Sequence, residues 1–119
     1  MQSEKKLIAV YGSLRKGEYN YSSRDLNYIK TVTIPGFDLF SLGAYPGIRP
    51  GEGNLVIDIM ECDVQTKQGI DRMEIRAGYS AESINIDGLN CTIYVYKHDV
   101  NPDQLVESGD WTKREVCVD

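Results

Sequence analysis

The run Leu7-Ile8-Ala9-Val10-Tyr11 leads straight into Gly12-Ser13-Leu14, and there the apolar pattern stops. A short apolar and aromatic run with β-branched members, bounded by Gly-Ser, predicts a buried strand over residues 5–11 rather than a helix. A strand that ends so abruptly leaves its last backbone N–H groups without ladder partners. Such groups either turn back on the chain or converge on an anion, because clustered amides form an anion-binding nest. The turn is therefore expected to form one wall of a small-molecule site, with the other wall near Glu74.

The rest of the chain is a series of short segments separated by turn chemistry. Residues 28–34 and 37–42 are β-branched or alternating and flank Pro35-Gly36, which reads as a turn. A loop is expected at Gly43-Ala44-Tyr45-Pro46-Gly47 and a further turn at Pro50-Gly51-Glu52-Gly53. Residues 54–61 form the strongest strand of the middle of the chain, with Leu55, Ile57 and Ile59 on one face by the period of two. Asp63 is positioned to cap a helix over residues 64–75, which Ala77-Gly78 ends. Tyr79–Ile86 and Leu89–Tyr96 read as a hairpin across Asp87-Gly88.

One helical turn is expected at residues 22–26 and another at 102–106. Tyr19 and Tyr21 are expected to cover the core edge, and Trp111 to close one end of the fold. The count, about six or seven strands and one or two short helices, predicts an α+β protein. Its mixed, mostly antiparallel sheet should curl into a small β-barrel, because closure removes exposed edges.

At 119 residues the chain has the length of a single domain, 1–119. Its net charge of −5 argues against nucleic acid and against an anionic membrane surface, both of which select Lys/Arg. No apolar run reaches the roughly 18 residues of a membrane span, and the N-terminal run is too short for a signal peptide. Cys62, Cys91 and Cys117 are scattered and His98 is the one histidine, so structural zinc is not expected and a cytoplasmic setting is. Arg15 and Lys16 read either as helpers of a bound carboxylate or as solvated loop charges. Ser13 has no histidine nearby to act as its base, and residues 12–17 lack the Gly-Lys-Ser/Thr ending of a phosphate loop.

Glu74 carries the chemistry of the second wall. A carboxylate near a helix C-terminus meets the negative pole of the helix dipole, and apolar Met73 and Ile75 beside it favour partial burial. Both raise its pKa toward the range useful for proton transfer. A solvated helix-end acid is the other reading, and the residues alone leave both open.

Tyr11-Gly12-Ser13-Leu14 after a leading strand resembles the signature of the gamma-glutamylcyclotransferase-like family. Gly43-Ala44-Tyr45-Pro46-Gly47, Ile70-Asp71-Arg72-Met73-Glu74 and Ser108-Gly109-Asp110-Trp111 match its further segments, in family order across residues 7–111. The resemblance implies a small mixed β-barrel with a cavity and no metal or organic cofactor. It implies Glu74 as the catalytic acid/base, and Tyr11, Gly12, Ser13, Leu14 and Tyr79 as substrate-binding residues. The implied substrate is a small gamma-glutamyl compound, cyclised to 5-oxoproline with release of an amine. Ile75 stands where the family commonly has Gly. That departure motivates a second reading, a non-catalytic protein that holds a small metabolite in the same cavity, and a third, an interaction module with a vestigial pocket.

Overall fold

The computed structural model describes residues 4–12, 14–16 and 25–113. Ser13, Tyr19, Tyr21, Cys117 and most of the helical turn expected at 22–26 lie outside the described residues. The elements in order are β1 (Lys5–Val10), β2 (Asn27–Ser41), β3 (Pro46–Asp63), α1 (Val64–Arg76), β4 (Tyr79–Ile86) and β5 (Leu89–Tyr96), followed by 3₁₀ turns at Pro102–Gln104 and Trp111–Lys113. The sheet runs β2-β3-β1-β5-β4 and curls into a half-barrel with α1 on one face. Every pairing is antiparallel except β1 with β5. The expected α+β class and mixed, mostly antiparallel curled sheet are present.

The described strands number five because two expected turns are irregularities inside long strands. At Pro35-Gly36 the register of β2 with β3 shifts between Pro35 and Phe37, because Gly36 alone faces residues 51–53 and the extra residues bulge from β3. Two residues along β2, the Asp38 carboxylate accepts a hydrogen bond from the Gly53 N–H of β3 at 2.9 Å. Any Cβ at Gly51 would stand 2.1 Å from that carboxylate. The glycines at residues 51 and 53 let an aspartate side chain fill the bulge, so the chain runs on without reversing.

Local chemistry explains the other boundaries. Asp63 accepts from the Thr66 N–H at 2.7 Å, the bond of a helix N-cap. Gly78, at φ +99°, ends α1 and sends its N–H to the Ile75 carbonyl at 3.2 Å. Asp87 and Gly88 take φ values of +52° and +83°, the all-positive pair of a two-residue hairpin turn.

The sheet buries both faces. Leu55, Ile57 and Ile59 join Ala9, Ile93 and Trp111 on one, and Ile8, Val10, Met60 and Tyr94 meet Ile70 of α1 on the other. Each fully buried branched side chain contributes roughly 1.5–3 kcal/mol. β1 covers only residues 58–63 of β3. Beyond its end the C-terminal segment takes over on β3, where the Val56 N–H donates to Gly109 O at 2.8 Å, and it also reaches β2, where the Val106 N–H donates to Leu39 O at 2.7 Å.

Candidate active site

The connectivity brings the end of β1 and the end of α1 to the same level. The last residue of β3, Asp63, pairs with Lys5 at the start of β1, so α1 begins at the opposite end of the strands from the turn after β1. Its 13 residues advance about 20 Å at ~1.5 Å each, and the six residues of β1 cover the same distance at ~3.3 Å each. Glu74 therefore arrives beside the turn that follows Val10. β5 is parallel to β1, so its C-terminal tyrosines arrive there too.

A cavity of about 430 Å³ opens at this junction. The turn contributes Tyr11, Gly12 and Leu14, and α1 contributes Met73 and Glu74. Tyr79, Tyr94 and Tyr96 form the wall from β4 and β5, and Leu42, Tyr45 and Pro46 close the remaining side. Glu74 is the one charged residue among the described lining residues. Gly12 is demanded by close approach, since a Cβ there would lie 2.5 Å from Cγ of Pro46.

The tyrosines are held by hydrogen bonds that commit their protons. Tyr11 Oη donates to the Tyr94 carbonyl and Tyr79 Oη to the Pro46 carbonyl, each at 2.5 Å. Tyr94 Oη donates to Asp71 Oδ1 at 2.6 Å, while Lys67 holds Asp71 Oδ2 at 2.8 Å. Burial pushes the Tyr11 phenol well above its ordinary pKa, with Tyr79 and the charge of Glu74 adding to it and a hydrogen bond to the Ile48 backbone opposing. Burial, followed by Glu74, Tyr96 and Tyr45, raises Tyr79. Tyr94 is raised by burial, by its bond to Asp71 and by the charges of Asp71 and Glu74. All three phenols feel the Glu74 carboxylate, and all three stay neutral.

Of the residues expected at the site, Tyr11, Gly12, Leu14, Glu74 and Tyr79 line this one cavity, whereas Ser13 is outside the described residues. Ile75 is 55% exposed and absent from the lining, so the departure from the family pattern falls beside the cavity rather than in it. Cys62 and Cys91 are buried, and burial raises both thiols, consistent with packing roles. His98 is exposed.

Arg15 is the correction. It is neither a solvated charge nor a lining residue: it is 8% exposed and spans two carboxylates. Its Nη1 donates to Asp110 Oδ1 at 2.8 Å, and its Nε lies 3.3 Å from Asp58 Oδ2, at ion-pair distance without hydrogen-bond geometry. The readable signal was Asp58 itself, a lone charge inside the apolar run Leu55-Val56-Ile57-Asp58-Ile59-Met60. A buried aspartate there needs a cation. The tyrosines at 94 and 96 alternate with apolar Ile93 and Val95, which marks a two-faced strand but does not reveal that one face opens into a cavity.

Fold and cavity together define a class: α+β proteins in which a curled mixed sheet presents strand ends and one carboxylate to a concave pocket. The chain belongs to the gamma-glutamyl cyclotransferase, AIG2-like family, whose sequence pattern matches residues 8–113. It is 34% identical over 110 residues to the gamma-glutamylcyclotransferase family protein YtfP of Escherichia coli, covering 91% of this chain and 97% of that one. The solution structure of E. coli ytfP superposes with a TM-score of 0.72 at 33% identity, covering 91% and 97% of the two chains. The crystal structure of protein PH0828 from Pyrococcus horikoshii superposes with a TM-score of 0.79 at 25% identity, covering 91% of each. Among the described residues, no helix is long and apolar enough to cross a membrane.

Proposed function

We propose that the protein is a gamma-glutamyl cyclotransferase that releases an amine and 5-oxoproline, with Glu74 as the acid/base. The observation that carries this reading is the shared cavity: in a member of this family, the single carboxylate among the described lining residues faces the same hollow as the strand-end turn.

The chemistry balances without water or a cofactor. The substrate's α-amine is protonated at neutral pH and cannot attack. Glu74 takes that proton, and the freed nitrogen attacks the gamma-carbonyl carbon of the same molecule, closing a five-membered ring. Glu74 gives that proton to the leaving nitrogen as its bond to the carbon breaks, then takes the surplus proton from the ring nitrogen and passes it to the freed amine, which departs as the ammonium. Folding the gamma-glutamyl chain into the attacking shape supplies the proximity term. The amides of residues 12–14 hold the α-carboxylate or steady the developing oxyanion. Arg15, committed to Asp58 and Asp110, is not offered to either.

The leaving group is an amine without a second carboxylate. Tyr45, Tyr96 and Leu42 present apolar surface, and no basic side chain among the described lining residues would pair with one. The test is incubation with gamma-glutamyl amines, gamma-glutamyl amino acids and glutathione, with 5-oxoproline as the readout. Turnover of the amines ahead of the other two supports the reading. Tight binding without turnover would instead mark a protein that sequesters its ligand.

A further inference from the structure

We infer that Arg15 is a positioning residue, which with Asp58 and Asp110 braces the substrate-binding turn against the C-terminal segment. The inference rests on the proposed role of that turn. Its structural content, that residues 110–112 hold Gly12 and residues 14–16 in place, stands apart from the reaction.

The geometry converges on the turn from three directions. The Arg15 N–H closes a tight turn onto the Gly12 carbonyl at 2.9 Å, so where Arg15 sits decides where Gly12 sits. Asp58, 1% exposed on β3, takes the Lys16 N–H at 3.0 Å and the Thr31 hydroxyl at 2.7 Å, in addition to the guanidinium. Asp110, on the far side, accepts from Arg15 and also from the N–H and hydroxyl of Thr112, at 2.9 and 2.6 Å. Burial alone would raise the Asp110 carboxyl, but the two bonds from Thr112 and then the charge and bond of Arg15 hold it below the usual carboxylate range.

Two carboxylates around one guanidinium at 8% exposure would be a poor choice for packing alone, because burying such charges is costly unless the partners are all in place. What the arrangement gains is rigidity at a turn otherwise open to the cavity. The planar fork of Arg presents its donors to two carboxylates in a fixed geometry, which the rotatable ammonium of Lys does not. Gly12 and Leu14, flanking the turn, both line the cavity, so a displaced Arg15 would move the groups proposed to meet the substrate.

The experiment compares wild type with Asp110→Asn, which keeps shape and an acceptor oxygen but loses the charge. Thr112→Val, which removes only one bond to Asp110, is the milder variant should the first fold poorly. The expected result is faster amide hydrogen exchange at Gly12, Leu14 and Lys16, by tenfold or more, with exchange in β3 and β5 changed less than twofold. The same variant should raise KM for the preferred gamma-glutamyl amine about tenfold while kcat stays within about threefold. Unchanged exchange at the turn, or an equal rise throughout the sheet, would overturn the brace. If wild type forms no 5-oxoproline, the proposed reaction fails, and the exchange pattern still decides the brace by itself.

Discussion

The hydroxyl of Tyr79 donates to the main-chain carbonyl of Pro46 across 2.5 Å, tying the first residue of β4 to the first residue of β3. Both residues line the cavity, and the Pro46 ring also packs closely against Gly12. One bond thus fixes the spacing between the β2–β3 loop, the strand-end turn and the tyrosine wall. Tyr79→Phe keeps the ring and removes the bond, leaving a buried carbonyl without that donor. The expected cost is about 1 kcal/mol of stability, read from denaturant midpoints, together with a higher KM. A variant equal to wild type in both would mean that the bond does not hold the cavity's shape.

The buried phenols predict an alkaline transition. Folding raises the pKa of Tyr11, Tyr79 and Tyr94 above the unfolded value near 10. The stability each contributes is complete below that unfolded value and is lost as pH climbs through the folded one. Above about pH 10 stability should therefore fall by up to ~1.4 kcal/mol per pH unit for each of them. Absorbance titration should show Tyr11, Tyr79 and Tyr94 ionising late, only as the fold is lost. A single reversible phase near pH 10 with native circular dichroism would contradict this.

Gly12→Ala tests the close approach at the turn. The new methyl would meet the Pro46 ring at 2.5 Å, so either the turn or the β2–β3 loop must shift. Overpacking of this kind costs roughly 1–3 kcal/mol. The thermal midpoint should fall, and kcat/KM should fall further than the stability loss alone explains. Native activity and stability would show that the turn has slack.

Gly69→Ala should act in the other direction. Gly69 lies inside α1, and a Cβ there meets nothing within 4 Å. Replacing a helical glycine with alanine should stabilise the protein by up to about 1 kcal/mol, with kinetics unchanged because the residue does not line the cavity. A loss of stability would mean that α1 is strained at this point.

What could be read from the chain in advance was the chemistry that acts over a few residues. Asp63 as a cap, Ala77-Gly78 as a stop and Asp87-Gly88 as a hairpin all depend on neighbours, and all appear where the local pattern puts them. Pro35-Gly36 misled because a bulge and a reversal draw on the same residues. What separates them here is the partner strand, where Asp38 settles onto the glycines of residues 51–53. Arg15 was illegible for the same reason: its partners are 43 and 95 residues away. At the candidate site, the turn was visible as a local signal, whereas the residues around Glu74 fitted a solvated helix-end acid as well and only the family resemblance singled it out. The tyrosine wall needed the sheet order, since only the parallel pairing of β1 with β5 brings Tyr94 and Tyr96 beside Gly12.

The most direct measurement is the turnover of Glu74→Gln on a gamma-glutamyl amine, with ligand affinity measured alongside. Glutamine keeps the size of the side chain and cannot exchange the proton. A fall in kcat of about 10²–10⁴-fold is expected, with substrate Kd changed less than tenfold and the fold intact. Undiminished 5-oxoproline formation by a properly folded Glu74→Gln protein would contradict it.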